Sequence, residues 1–195
     1  FSVHFIRKRV FLNSYLRMSS VTDDLALKLE FYEIRDLLLG QNRKNQDVSR
    51  ALELATTCRH PDAQWLTKIF DGKDVKTREE ARDVFLAQGD GDARALCFLA
   101  SIDIYSDSDV RVARLRRSAE MGFAFAQAQF VKWLPNDEED ERKEIFRLAF
   151  SAASQGEREG FYQLGYCYNL AVGCARNKEE AKKNLDFIYL HLIYT

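Results

Sequence analysis

Two prolines and nine glycines are all the backbone punctuation in this 195-residue chain. Average usage is about 5% Pro and 7% Gly, so collagen, low-complexity disorder and a turn-rich all-β sandwich are excluded. Charge of one sign is missing too. The 29 Lys and Arg nearly balance the 30 Asp and Glu, for a formal net charge of −1. No global field draws such a chain to nucleic acid or to an anionic membrane, and neither is expected as a partner. No apolar run approaches the ~20 residues of a membrane span. Residues 187–195 are strongly apolar but number only nine.

Cysteine is sparse. Cys58, Cys97, Cys167 and Cys174 contain no C-x-x-C pair and fall far below the density of a disulfide scaffold. They read as reduced thiols filling helix interfaces, which points to a reducing, cytoplasmic setting. Cys167 and Cys174, seven apart, meet only if the chain folds back between them.

Catalytic chemistry is equally thin. His4, His60 and His191 are the only histidines, and no two stand at metal-ligand spacing. G-x-S-x-G, the P-loop, H-E-x-x-H and G-x-G-x-x-G are absent, and Gly89-Asp-Gly91 lacks the third glycine of the last. Cys58 and His60, two positions apart, do not face one another on a helix end. No catalytic, cofactor-binding or metal-binding residue is therefore expected, and the chain does not read as an enzyme. The acidic run 137–141 lacks the alternating ligands and central glycine of a calcium loop. It reads instead as carboxylates at the positive end of a helix dipole. Arg111, Arg114, Arg116 and Arg117 form a basic stripe suited to phosphate or an acidic peptide. Without interleaved aromatics, and diluted by Asp103, Asp107, Asp109 and Glu120, it reads as a solvated helix face.

What is present is 46% hydrophobic and 30% charged residues with few breakers, the composition of long amphipathic helices. The length suits one compact domain with a substantial core. Five windows superpose: 31–40 FYEIRDLLLG, 63–72 AQWLTKIFDG, 95–104 ALCFLASIDI, 126–135 AQAQFVKWLP and 160–169 GFYQLGYCYN. Their starts are 32, 32, 31 and 34 residues apart. Gly91, Gly122 and Gly156 precede three of them, as turns between units; Gly40 and Gly72 close two. Pro61 and Pro135 stand beside helix starts. A second series supports the first. Asp47, Thr77, Asp109 and Asn177 each stand four residues before an alanine, namely Ala51, Ala81, Ala113 and Ala181. Those four types cap helix N-termini by accepting from otherwise unpaired N–H groups. Thr77 with Glu80, Asn177 with Glu180 and Asn136 with Glu139 have capping-box spacing. The helix after Asn136 is longer than its counterparts and runs to about Ala153. The alanines allow close helix crossings.

Each unit is therefore expected to be helix, short loop, helix, then a tight turn. One such pair cannot bury its apolar face alone, but stacked neighbours build a continuous core. The expected fold is all-α, an α/α solenoid of about five helix-turn-helix repeats of 31–34 residues.

These residues carry a family resemblance. Gly91-Asp-Ala-Arg-Ala95-Leu-Cys-Phe-Leu99 and Gly156-Glu-Arg-Glu-Gly160-Phe-Tyr-Gln-Leu-Gly165-Tyr-Cys-Tyr168 resemble the first helix of Sel-one-like repeats, a branch of the tetratricopeptide-like superfamily. Asn177-Lys-Glu-Glu-Ala181 resembles the second helix, and Ala119-Glu-Met-Gly122 the Ala-x-x-Gly exit. The fifth unit, with its loop 169–176, matches best. Lys68 and Val131 replace a usual small residue in the second and fourth units, which are expected to pack less regularly. The resemblance implies a right-handed superhelix that serves as a protein-binding scaffold or adaptor in signalling or quality control. The family includes secreted, cysteine-rich members to which β-lactam hydrolysis is ascribed. Their paired cysteines are matched here by Ala119 with Ala126 and Ala153 with Gly160, so that hydrolase branch, the alternative reading, is not supported.

Residues 23–195 form the expected repeat domain. Residues 1–22 contain no Asp or Glu but carry Arg7, Lys8, Arg9 and Arg17. They read either as an organelle-targeting segment or, with Met18 as a start, as a non-native remnant over 1–17. First helices line the concave side of a solenoid, where an extended protein or peptide partner lies. By register the candidate groove residues are Arg35, Lys68, Gln129, Lys132, Gln163 and Tyr166, with the inward face open by one residue step. A terminal repeat needs a polar outer face, which 187–194 does not offer. That end is expected to be covered by a further helix or a second chain, which also admits a structural arm of a larger assembly.

Overall fold

The computed structural model describes residues 19–41, 46–103 and 107–194. Among them, all regular structure is helical. The helices are α1 (Ser19–Leu39), α2 (Val48–Thr57), α3 (Pro61–Phe70), α4 (Arg78–Leu86), α5 (Ala93–Ile102), α6 (Ser108–Glu120), α7 (Ala124–Phe130), α8 (Glu139–Ser154), α9 (Arg158–Leu170) and α10 (Lys178–Tyr194). Each of the five superposed windows begins within an odd-numbered helix. The chain divides between Lys73 and Asp74 into two compact units, with the second repeat split between them.

In the first unit, α1 packs against α2 and α2 against α3. Asp47 caps α2 by accepting from the Arg50 N–H at 2.9 Å. One turn on, Ala51 and Ala55 are buried, as close crossing requires. Pro61 opens α3, where its missing N–H costs nothing. His60 is that helix's cap. Its Nδ1 accepts from the Asp62 N–H at 3.2 Å, and its ring stacks on Phe31 with centroids 4.5 Å apart. The histidine beside Cys58 is thus a structural one.

In the second unit, each first helix packs on its own second helix and on the second helix before it: α7 on α8 and α6, and α9 on α10 and α8. The core is continuous through these layers. Phe98 of α5 stacks on Phe85 of α4 at 5.4 Å and meets Phe125 of α7 at 6.5 Å, and all three are buried. The tight turns between repeats share one chemistry. Gly122 and Gly156, at φ 90° and 80°, end α6 and α8 in the left-handed region. The next N–H groups, of Phe123 and Glu157, reach back to the Ser118 and Ala152 carbonyls at 3.3 and 3.0 Å. This is the Schellman ending that the Ala-x-x-Gly exit encodes.

Several expectations are corrected in detail. The cap of α6 is Asp107, which accepts from the Asp109 N–H at 2.8 Å; Asp109 itself lies in the first turn. The helix therefore starts two residues early, its buried side is Leu115, Ser118 and Ala119, and Ala113 is exposed. The cap of α8 is Glu138 rather than Asn136, and Glu141 accepts from the Glu138 N–H at 3.1 Å. Asn177 caps α10 through the Glu179 and Glu180 N–H groups at 3.2 and 3.1 Å. Glu180 does not close that box, because the Asn177 N–H donates to the Tyr168 carbonyl at 2.9 Å. Between the second and third repeats the left-handed turn falls at Gly89, φ 69°, and not at Gly91. In the fourth repeat α7 spans seven residues and tightens into a 3₁₀ turn at Val131–Trp133, where Val131 replaces the usual small residue.

Candidate partner-binding surface

The first helices of the fourth and fifth repeats carry the densest group of expected contact residues. Lys132, exposed at the end of α7, donates to Gln129 Oε1 at 3.2 Å and to a Glu159 carboxylate oxygen at 3.3 Å. The latter is an ion pair that joins α7 to α9. Glu159, Tyr162 and Tyr166 recur at the spacing of a single α-helical face. Tyr162 is 51% exposed and Tyr166 42%. The result is an uncharged aromatic ridge on α9 beside a neutralised ion pair. Gln129 is half-buried, and Gln163, one residue step from Tyr162, is buried.

Sequence reasoning missed Glu159 and Tyr162. One residue step turns a side chain by about 100°, enough to exchange Gln163 for Tyr162 as the outward group. In the first unit, Lys68 is exposed on α3. Arg35 is fully buried, with its guanidinium 4.8 Å from the Tyr32 ring centroid. It offers no surface to a partner.

The remaining charged clusters serve the fold. Arg111 Nε donates to the Ala100 carbonyl at 3.0 Å, and Arg114 pairs with the nearly buried Asp103 at 3.1 Å, locking α6 onto α5. Arg116 lies over the Phe130 ring at 5.6 Å. The outer face of α6, with Asp109, Val112, Ala113, Arg116, Arg117 and Glu120, borders a depression of about 410 Å³. Glu139, Asp140 and Glu141 occupy the first turn of α8, where the helix dipole favours them. Lys143, 2.6 Å from Glu139, holds that carboxyl below its usual range. Among the described residues, no group of three or more His, Cys, Asp and Glu side chains is placed to hold a metal. Nor is any helix among them long and apolar enough to cross a membrane.

No disulfide joins the four cysteines. Cys58, Cys97 and Cys167 are buried and Cys174 is half-buried. Burial pushes the Cys58 thiol up, and pushes that of Cys167 up to about 12. Phe187 of α10 packs on Phe161 with centroids 4.0 Å apart. The side chains of 188–194, on which the expectation of a covered C-terminal helix rests, lie outside the described residues, as do His4 and the basic residues before Met18.

No protein-family model matches the sequence, and no curated protein does. Solved structures do share its fold. A protective antigen present in uropathogenic Escherichia coli strains, which displays an SLR fold, superposes with a TM-score of 0.51 at 19% identity. That match covers 82% of this chain and 37% of the antigen. A Sel1 repeat protein from Oxalobacter formigenes gives a TM-score of 0.50 at 17% identity, over 85% of this chain and 51% of that protein. The chain has the all-α Sel1-like repeat fold, a helical-repeat solenoid, and spans well under two thirds of either structure's length.

Proposed function

We propose that this chain is a non-enzymatic adaptor that binds an extended protein segment along the first helices of its fourth and fifth repeats. The observation that carries the reading is the exposed Tyr162–Tyr166 ridge set beside the Lys132–Glu159 pair. Large aromatics with polar tips supply contact area at low entropic cost and hydrogen bonds at their rims. Stacked first helices provide an extended surface of the kind repeat proteins use. The ion pair leaves little net charge beside the ridge, so the favoured segment is apolar or aromatic rather than strongly charged. Tetratricopeptide-like architecture and reduced thiols fit a cytoplasmic scaffold.

The test is selection of peptides from a random library on the purified chain, followed by titration against Tyr162→Ala/Tyr166→Ala and against Phe150→Ala. Phe150, 53% exposed on α8, is the control surface. Loss of at least about tenfold in affinity for the tyrosine variant alone supports the ridge, corresponding to roughly 1.4 kcal/mol. Equal binding by wild type and the tyrosine variant rejects it.

A further inference from the structure

The two cysteines seven apart in sequence are brought together by the loop that closes α9. The helix ends at Ala171 with φ 60° and ψ 39°, and the chain doubles back. The Val172 N–H donates to the Cys167 carbonyl at 3.0 Å, and the Asn177 N–H to the Tyr168 carbonyl at 2.9 Å. Between these anchors Gly173 lies directly on α8: a Cβ there would stand 2.0 Å from the Arg142 carbonyl oxygen. The loop is thus held at both ends and pressed down in its middle. It sets Cys174 Sγ 3.6 Å from the Cys167 carbonyl oxygen.

The Cys174 sulfur therefore rests against the backbone of the first cysteine, and closing a bridge requires the two Cα atoms to stand within about 7 Å. Cys174 is half-buried and reachable, whereas Cys167 behind it is fully buried. An accessible thiol backed by a buried partner is the arrangement of an attacking and a resolving cysteine.

We propose that Cys167 and Cys174 are a reversible oxidation site, closed to a disulfide by a small-molecule disulfide of the glutathione class. Cys174 loses its proton to solvent and attacks one sulfur of oxidised glutathione. The S–S bond breaks, and one glutathione leaves as thiolate and takes up a proton. The Cys167 thiolate then attacks Sγ of the Cys174 mixed disulfide, and the second glutathione leaves in the same way. Two protein thiols are oxidised and one glutathione disulfide becomes two glutathiones. Burial keeps both thiols protonated at neutral pH, so closure is slow there and accelerates about tenfold per pH unit while thiolate formation limits it. The bridge ties the α9–α10 loop to the helix that carries Tyr162 and Tyr166, and its formation does not depend on the peptide-binding reading.

The test is incubation of the folded chain with oxidised glutathione, alkylation, and mass analysis of the tryptic peptide 159–176, which contains both cysteines and no internal Lys or Arg. The expected result is a peptide lacking two hydrogens, alkylated only after reduction by dithiothreitol. Cys167→Ala is expected to stop at glutathione on Cys174, and Cys174→Ser to leave Cys167 unmodified. Wild-type chain that retains glutathione on Cys174 while Cys167 stays alkylatable on unfolding overturns the proposal. So does a bridge that forms only in denaturant. The wild-type result decides the matter if either variant fails to fold.

Discussion

Lys132 Nζ lies 3.3 Å from a Glu159 carboxylate oxygen, tying the first helices of consecutive repeats across 27 positions of chain. Both side chains retain solvent contact, at 42% and 22% exposure, so the pair contributes modestly to stability. Lys132→Glu is expected to cost about 0.2–1 kcal/mol, and Lys132→Glu/Glu159→Lys to recover most of it. Urea denaturation of the four-member mutant cycle measures this. A coupling energy of zero removes the pair as an organiser of the surface.

Phe98 bridges Phe85 and Phe125 within the layered core. Phe98→Ala leaves a cavity that neighbouring helices cannot collapse around, and is expected to destabilise by about 3–5 kcal/mol. Unchanged thermal unfolding would show that the repeats in this unit do not share one core.

Ala171 is the only non-glycine residue at positive φ among those described, while Gly173 nearby has no room for a Cβ. Ala171→Gly relieves a left-handed conformation and is expected to stabilise by up to about 1 kcal/mol. Gly173→Ala drives a methyl into the Arg142 carbonyl and is expected to cost more than about 2 kcal/mol. Opposite signs of the two Tm shifts are the diagnostic result.

Alkaline pH provides a fourth check. Burial raises the Cys167 thiol from 9.0 to about 12, with the Cys174 charge adding to it. The protonated thiol is favoured in the folded chain, so its stabilising contribution is complete below 9.0 and is lost as pH rises toward 12. The loss from this group is at most about 1.4 kcal/mol per pH unit. Cys167→Ala is expected to show a shallower decline in unfolding free energy between pH 8.5 and about 10.5. Parallel declines would mean that Cys167 is not buried as described.

Much of the fold is readable along the chain because its signals are local. Asp47 and Thr77 stand at helix starts since their short oxygens reach nearby N–H groups whatever lies beyond. Gly122 and Gly156 end helices because only the backbone at that point must turn left-handed. The errors at Asp109 and Asn136 arise where several acceptors crowd one helix start. Asp107 and Glu138 compete there for the same donors, and burial of the following turns selects between them.

The sequence by itself determined the all-α class, the period of its repeats, the caps at Asp47, Thr77 and Asn177 and the absence of familiar catalytic motifs, since spacing and residue type express all of these. Only the tertiary structure decided which side of each helix meets solvent. It buried Arg35 and Gln163 and exposed Tyr162 and Ala113. It also folded Cys174 back onto Cys167. A helix rotates about 100° per residue, so a small register shift exchanges inside for outside, and only the combined packing of neighbouring helices resolves that choice.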